Sequence, residues 1–420
     1  MSIIYDSAFI IFGVLYFPYL IIKKKWHDGF WARFGFLPQE LKSALGRRAN
    51  IWVHAVSVGE VMAIGRLVQE IRKKFPSFQI VISTVTQAGY MVAKKTFADD
   101  IVIYAPLDLS WIVKKYIRWI VPKVYIVAET ELWPNLFLSL RQRHIPVVVI
   151  NGRISDKAYP RYKIAKPFLR KILDCVDIFC MRSDEDAERI KTLGALAEKV
   201  RTIGNIKFDD VSSSEVMDRE NAGFAKDEIL FVGGSTHPGE EEILLEVYRA
   251  LCGQFPKLRL ILAPRHVERS DEIARWAARE GFSVTRFSEA RGRALGKGSV
   301  VLVDTLGDLK SIYSFSDIVF VGKSLTVGGG HNIIEPASFA KPVIVGPRME
   351  NFADTLEVFL KKKAIIQIGD SNELLSRIKE LLQNPGERAR LGQLAYRVVE
   401  ENKGATERTI KVISKFLSAS

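Results

Sequence analysis

Cysteine is scarce: Cys175, Cys180 and Cys252 are the only ones in 420 residues. They show neither paired metal-ligand spacing nor the density of a disulfide framework, so they read as buried thiols of a reducing compartment. The six histidines are spread too widely along the chain to mark a metal site. No G-K-[ST] follows the glycine-rich stretches at the spacing of a Walker loop. Acidic residues are outnumbered, 48 against 61 Lys and Arg, for a net charge of +13. Such an excess attracts nucleic acid, anionic lipid or phosphorylated substrates without choosing among them. The proportions of 48% hydrophobic and 26% charged residues exclude a disordered or fibrous chain.

The charge begins to choose at the start of the chain. "IIYDSAFIIFGVLYFPYLII" runs directly into "KKK", and about twenty mainly apolar residues suffice to cross a bilayer as a helix. A secretory signal would put the positive charge first and a small-residue cleavage site last. Residues 1–36 therefore read as an uncleaved anchor with an interfacial segment. Lys23, Lys24, Lys25 and Arg33 put the body on the cytoplasmic face, and Trp26, Phe30 and Trp31 suit the headgroup level. Asp6 and Pro18 weaken a simple span, and a helix lying in the interface is the alternative.

From Asn50 onward, short β-branched runs ("IWVHA", "QIVIS", "IVIY", "KVYIVA", "PVVVI", "VDIFCM") alternate with amphipathic stretches. After the polar "GNIKFDDVSSSEVMDREN" a second series begins, with "EILFVG", "RLILA", "FSVTRF", "SVVLVD", "DIVFV", "KPVIVG" and "AIIQI". Strand and helix in turn predict an α/β fold of two doubly wound, Rossmann-like domains. Their expected bounds are 37–205 and 223–420, joined by a linker at 206–222. Ligands of such sheets sit at the carboxyl ends of the strands, and two such domains predict a cleft between those ends.

Polar motifs fall at those ends. In "HAVSVGE", Ser57 and Glu60 fit a capping box, a reading that needs no function, yet Glu60 is also an acid at a strand end. "GGSTHPGEEE" offers Gly233 and Gly234 for a tight turn, Ser235 and Thr236 as donors, and a helix start suited to phosphate. "APRHVER" adds Arg265 and His266, cations suited to phosphate or carboxylate. In "GKSLTVGGGHNIIEPA", Gly328, Gly329 and Gly330 permit close backbone approach. Asn332 stands near the helix start, and Glu335 is placed to accept both hydroxyls of a ribose. Each of these motifs alone also has a purely structural reading, as a cap, a turn or a solvated cation.

Taken in order after an apolar N-terminus, "HAVSVGE", "AETELWPN", "NGRIS", "GNIKFD", "GSTHPGEE", "APRH" and "GGGHNIIEPA" resemble the Kdo transferase family of lipopolysaccharide assembly, a GT-B glycosyltransferase family. The resemblance implies inverting transfer of 3-deoxy-D-manno-octulosonic acid (Kdo) from CMP-Kdo to the lipid A precursor at the inner membrane, with no cofactor or bound metal. It implies Glu60 as general base, which suits inversion, since one base must take the acceptor's proton. Glu129, Glu131, Arg153 and Lys207 follow as acceptor or sugar contacts. Rivals are a membrane-associated GT-B transferase using a UDP-sugar, and a non-catalytic anchored protein binding anionic lipid. Nucleic acid ranks last as a partner, because no basic segment is interleaved with aromatics.

Overall fold

A computed structural model describes residues 5–11, 13–15, 29–209, 217–290 and 299–417. Much of the expected anchor, including Pro18, Lys23, Lys24, Lys25 and Trp26, lies outside the described residues. Two compact units divide the chain, Met1–Asp210 with Asn402–Ser420, and Val211–Glu401.

The first unit holds seven parallel strands: β1 (Asn50–His54), β2 (Gln79–Thr84), β3 (Ile101–Tyr104), β4 (Pro122–Ala128), β5 (Val147–Gly152), β6 (Ile178–Met181) and β7 (Val200–Thr202). Their order is β3-β2-β1-β4-β5-β6-β7. The central strands are buried on both faces, as expected where helices cover a parallel sheet on both sides. One face packs Trp52, Tyr116, Tyr125 and Phe137, the other Val53, Leu67, Ile126 and Ile413. The second unit repeats the plan with β8 (Ile229–Thr236), β9 (Leu258–Pro264), β10 (Val284–Arg286), β11 (Val300–Leu302), β12 (Ile318–Val321), β13 (Val343–Val345) and β14 (Ile366–Gln367), ordered β10-β11-β9-β8-β12-β13-β14. Strand order reverses between β1 and β4 in one sheet and between β8 and β12 in the other. Those switch points are where doubly wound sheets open for ligands.

Three expectations change. The helix Ala405–Leu417, expected in the domain 223–420, packs on the first unit against β4 and the helix Gly65–Lys74. Its start is held by Asp209, whose carboxylate accepts from Gly404 N at 2.6 Å and from Thr406 N. The expected linker 206–222 is therefore built into the units at both ends. Ile206–Asp209 is a 3-10 turn with Phe208 fully buried in the first, and Ala222 is fully buried in the second. Asp209→Ala is expected to cost about 1–3 kcal/mol, because two helix-start amides lose a charged partner. A denaturant melt checks this, and an unchanged midpoint would refute it.

The third change concerns the anchor. Asp6 is only 8% exposed and accepts from Ser110 N at 3.1 Å and Asn135 Nδ2 at 2.7 Å. A segment expected to project into lipid is at this point tied to the first unit, because a carboxylate meets donors there that a bilayer cannot offer. Among the described residues no helix is long and apolar enough to cross a membrane. Ile10, Ile11, Val14, Leu15, Trp31 and Phe36 are nonetheless exposed.

Candidate active site

In the first unit, the carboxyl end of β1 leads through Ala55 and Val56 to the helix Val58–Ala63, whose N-cap is Ser57. Ser57 Oγ accepts from Glu60 N at 3.4 Å and donates to Glu60 Oε1 at 2.8 Å, while Glu60 Oε2 accepts from Val56 N at 2.8 Å. The capping box forms, and the same bonds hold the carboxylate by both oxygens in one rotamer, 8% exposed. Burial pushes its pKa above the ordinary carboxylate value, with the negative charge of Glu129 adding to the rise and the bonds from Val56 and Ser57 opposing it.

The end of β4 brings the other two acids. Glu129 has φ 57°, a left-handed conformation that costs a non-glycine residue about 1 kcal/mol or more. Glu131 is half-buried, and burial followed by the charges of Glu60 and Glu129 pushes its pKa up to about 7. Three carboxylates thus meet at the switch point of one sheet. Lys207 Nζ lies 3.9 Å from Glu129 Oε1. Arg153 is joined to the same loop, its N–H donating to Thr130 Oγ1 at 2.9 Å. His54, adjacent in the motif, is buried against Ser83 Oγ and its pKa is pushed down to about 3, mainly by burial, so it is a neutral core residue.

Because Glu129 raises the pKa of both neighbours, Glu129→Gln is expected to lower them. The ionised form of Glu60 then persists to lower pH, and the acid limb of kcat/KM moves toward lower pH. A limb that stays in place would show that the charges do not couple.

In the second unit the sequence reading of the first glycine pair is corrected. Gly233 and Gly234 lie within β8 and form no turn. A Cβ on Gly233 would meet Leu244 at 2.5 Å, and one on Gly234 the Tyr313 hydroxyl at 2.0 Å, so packing requires both. Ser235 (φ 54°) and Lys323 (φ 58°) carry left-handed backbone at the ends of β8 and β12. Thr236 Oγ1 donates to Glu241 Oε1 at 2.9 Å, and Arg269 Nη1 donates to the same oxygen at 2.9 Å. Arg269, which the sequence reading missed, makes the buried ion pair. Arg265 and His266 are exposed, and His266 lies 3.3 Å from Glu268.

Glu240 was also missed. Fully buried, it accepts from His237 N (2.9 Å), Lys323 N (2.7 Å), Ser324 N (2.9 Å) and Leu325 N (3.0 Å), joining the loops after β8 and β12. The loop glycines answer first to their own packing. Gly329 (φ 119°) donates to Glu350 Oε2 at 2.6 Å, Gly330 (φ 69°) donates to the Lys323 carbonyl at 2.7 Å, and Gly328 faces Glu350. Asn332 Oδ1 accepts from Ile334 N at 3.0 Å, and Glu335 lies in the following helix, Ile334–Ser338.

Histidines scattered in sequence meet here. His237 Nε2 and His331 Nε2 are 3.1 Å apart, and the His266 ring lies 5.8 Å from that of His237. Burial pushes His331 down to about 3, with the charge of Arg265, the neighbouring His237 and the charge of Lys323 adding to the fall. Burial lowers the pKa of His237 as well, so that His237 and His331 stand as neutral imidazoles beside the cations Arg265 and Lys323.

Two doubly wound parallel sheets with polar groups collected at their switch points give the chain a GT-B-like α/β fold. Residues 28–210 match the family model described as 3-deoxy-D-manno-octulosonic-acid transferase (kdotransferase), and residues 217–398 match glycosyl transferases group 1. The 3-deoxy-D-manno-octulosonic acid transferase of Haemophilus influenzae is 36% identical over 373 residues, 88% of this chain and 87% of that one. That of Chlamydophila psittaci is 30% identical over 427 residues, 99% and 96% of the two chains. UDP-GlcNAc 2-epimerase from Neisseria meningitidis bound to UDP-GlcNAc is 11% identical with a TM-score of 0.56, over 87% of this chain and 100% of that one, a likeness of fold alone. The chain belongs to the Kdo transferase family.

Proposed function

We propose that this enzyme transfers Kdo from CMP-Kdo to the lipid A precursor, with inversion at the anomeric carbon, on the cytoplasmic face of the inner membrane. The observation that carries the chemistry is the Glu60 carboxylate, fixed by Val56 N and Ser57 Oγ beside two further acids. Glu60 takes the proton from the acceptor hydroxyl as its oxygen bonds to the anomeric carbon, and CMP leaves from the opposite face with the electron pair of the broken bond. Kdo and CMP are both anionic. Arg265, Lys323 and the neutral His237 and His331 suit the donor phosphate, Glu335 the ribose, and Lys207 the sugar carboxylate. Arg153 suits an acceptor phosphate. The exposed Trp31 and Phe36, next to Arg33, support membrane attachment.

The deciding assay supplies vesicles bearing the protein with CMP-Kdo and the lipid A precursor and weighs the lipid product by mass spectrometry. A precursor mass that never rises by Kdo residues would refute the reading. CMP, and not UDP, is expected to raise the melting temperature; the reverse would favour the UDP-sugar rival. Glu335→Ala is expected to weaken CMP binding by about 1–3 kcal/mol, the range for a lost charged hydrogen bond, with little change in melting temperature. Unchanged affinity by calorimetry would remove Glu335 from the donor site.

A further inference from the structure

The loop carrying Glu129 and Glu131 is held at two points by groups distant in sequence, one between the two acids and one downstream of them. Between the two acids, Thr130 Oγ1 accepts from Arg153 N and its hydroxyl donates to the Arg153 carbonyl, tying the loop to the end of β5. Downstream, the loop runs into the helix Pro134–Arg141, which has no side-chain cap of its own. Its first amides are capped from afar: Asn135 N donates to Asp108 Oδ2 at 3.1 Å and Leu136 N to Asp108 Oδ1 at 2.9 Å.

Asp6 completes this clamp. Its Oδ1 accepts from Asn135 Nδ2 at 2.7 Å, and the same side-chain nitrogen donates to the Asp108 carbonyl at 2.7 Å. Oδ1 also accepts from Ser110 N at 3.1 Å, the first amide of the helix Ser110–Ile120, which likewise lacks a local cap. Tyr5 bonds to the Asp108 carboxylate. One carboxylate from the N-terminal segment thus joins two helix starts, at sequence separations of 104 and 129 residues.

Between the clamps stands Trp133. Its ring meets that of His54 edge-on at 5.9 Å, and His54 ends the strand that leads to Val56 and Glu60. Trp133 Nε1 is buried without a protein partner and, with His54 and Tyr125, lines a cavity of about 10 Å³. No hydrogen bond of its own fixes the indole. Its place is set by packing and by the main chain on either side, and on the downstream side that means Asn135.

We propose that Asp6 is a positioning residue for transfer: by holding Asn135 and Ser110 it fixes the loop that carries Glu129 and Glu131, so the N-terminal segment supports the carboxylate cluster as well as contacting the membrane. The proposal rests on the reading of those carboxylates as serving Kdo transfer. Charge-assisted hydrogen bonds are about twice as strong as neutral ones. Loss of function should therefore follow acceptor strength in the order Asp6, Asn, Ala.

The test uses the full chain on vesicles, comparing wild type, Asp6→Asn and Asp6→Ala for vesicle binding, melting temperature, kcat, KM for CMP-Kdo and the pH dependence of kcat. Asp6→Ala is expected to stay on vesicles and keep its donor KM while kcat falls about tenfold or more, of the order produced by loosening a positioned group. Asp6→Asn is expected to lose several-fold. The acid limb should move toward lower pH in both, because a loosened loop admits water and lets the acids separate. Wild-type kcat and an unmoved limb in either folded variant would overturn the proposal. So would a loss that vanishes once a lipid-linked tether restores vesicle binding, for then the segment only anchors. If Asp6→Ala does not fold, Asp6→Asn decides alone by the same two readouts. The wild-type assay separates the failures: no transfer by wild type sinks the functional reading, whereas wild-type transfer that is indifferent to Asp6 sinks only this proposal.

Discussion

Glu60→Gln is expected to lower turnover about a hundredfold or more, the size of effect for removing a positioned general base, while the fold is kept. Glutamine retains one oxygen to accept from Val56 N, the bond now made at 2.8 Å, and glutamine also serves at this position of a capping box. The melting temperature should fall only slightly, and CMP affinity should hold, because the residues proposed to bind CMP lie in the other unit. Ser57→Ala is the matched control. It removes the 2.8 Å bond to Oε1 and the cap to Glu60 N, and should cost about 1 kcal/mol of stability with a smaller loss of turnover. Near-normal transfer by Glu60→Gln at saturating substrates would reduce Glu60 to a cap and leave Glu131, whose pKa is pushed up to about 7, as the next candidate base.

The second large effect is expected at Glu240. Its two oxygens accept from four backbone amides on two loops. Glu240→Ala leaves buried N–H groups unmet, each at about 1–3 kcal/mol, partly relieved by water entering the vacated space. A net loss of about 3–5 kcal/mol follows. The loops that place His237 and Lys323 would then lose their common tie, and CMP binding should become undetectable by calorimetry. Glu246→Ala, an exposed change on the same helix, should stay within about 0.5 kcal/mol of wild type. Wild-type melting and CMP affinity in Glu240→Ala would show that the loops hold their shape without it.

The strands were legible where β-branched runs are buried on both faces, as in "KVYIVA" and "DIVFV". β7 was not, because of its three residues only Val200 is buried, and so short a run carries no period. "GEEE" reads as an acidic first turn suited to the helix dipole. Nothing in the string tells that Glu240 and Glu241 are buried, one gathering amides and the other paired with Arg269. Gly233 and Gly234 read as a turn because a glycine pair more often bends a chain than makes room for a neighbour, here Leu244 and the Tyr313 hydroxyl. The meeting of His237, His266 and His331 depends on strand order, which local pattern does not encode. The capping box of Ser57 and Glu60 was legible because it is local: Glu60 stands three positions after the serine that fixes it.

The helix Ala405–Leu417 bears on how the enzyme is made. Its Ile410, Ile413 and Leu417 belong to the same apolar cluster as Val124 and Ile126 of the first sheet, yet they leave the ribosome after the whole of Val211–Glu401. At about 5–20 residues per second, roughly 190 intervening residues impose a delay of about 10–40 s. Throughout that interval one face of a nearly finished sheet lacks part of its cover, the share that Ile410, Ile413 and Leu417 supply beside Leu67 and Ile71. The nascent chain is then most open to chaperones and to aggregation, and a ribosome that stalls in the second unit strands the first one incomplete.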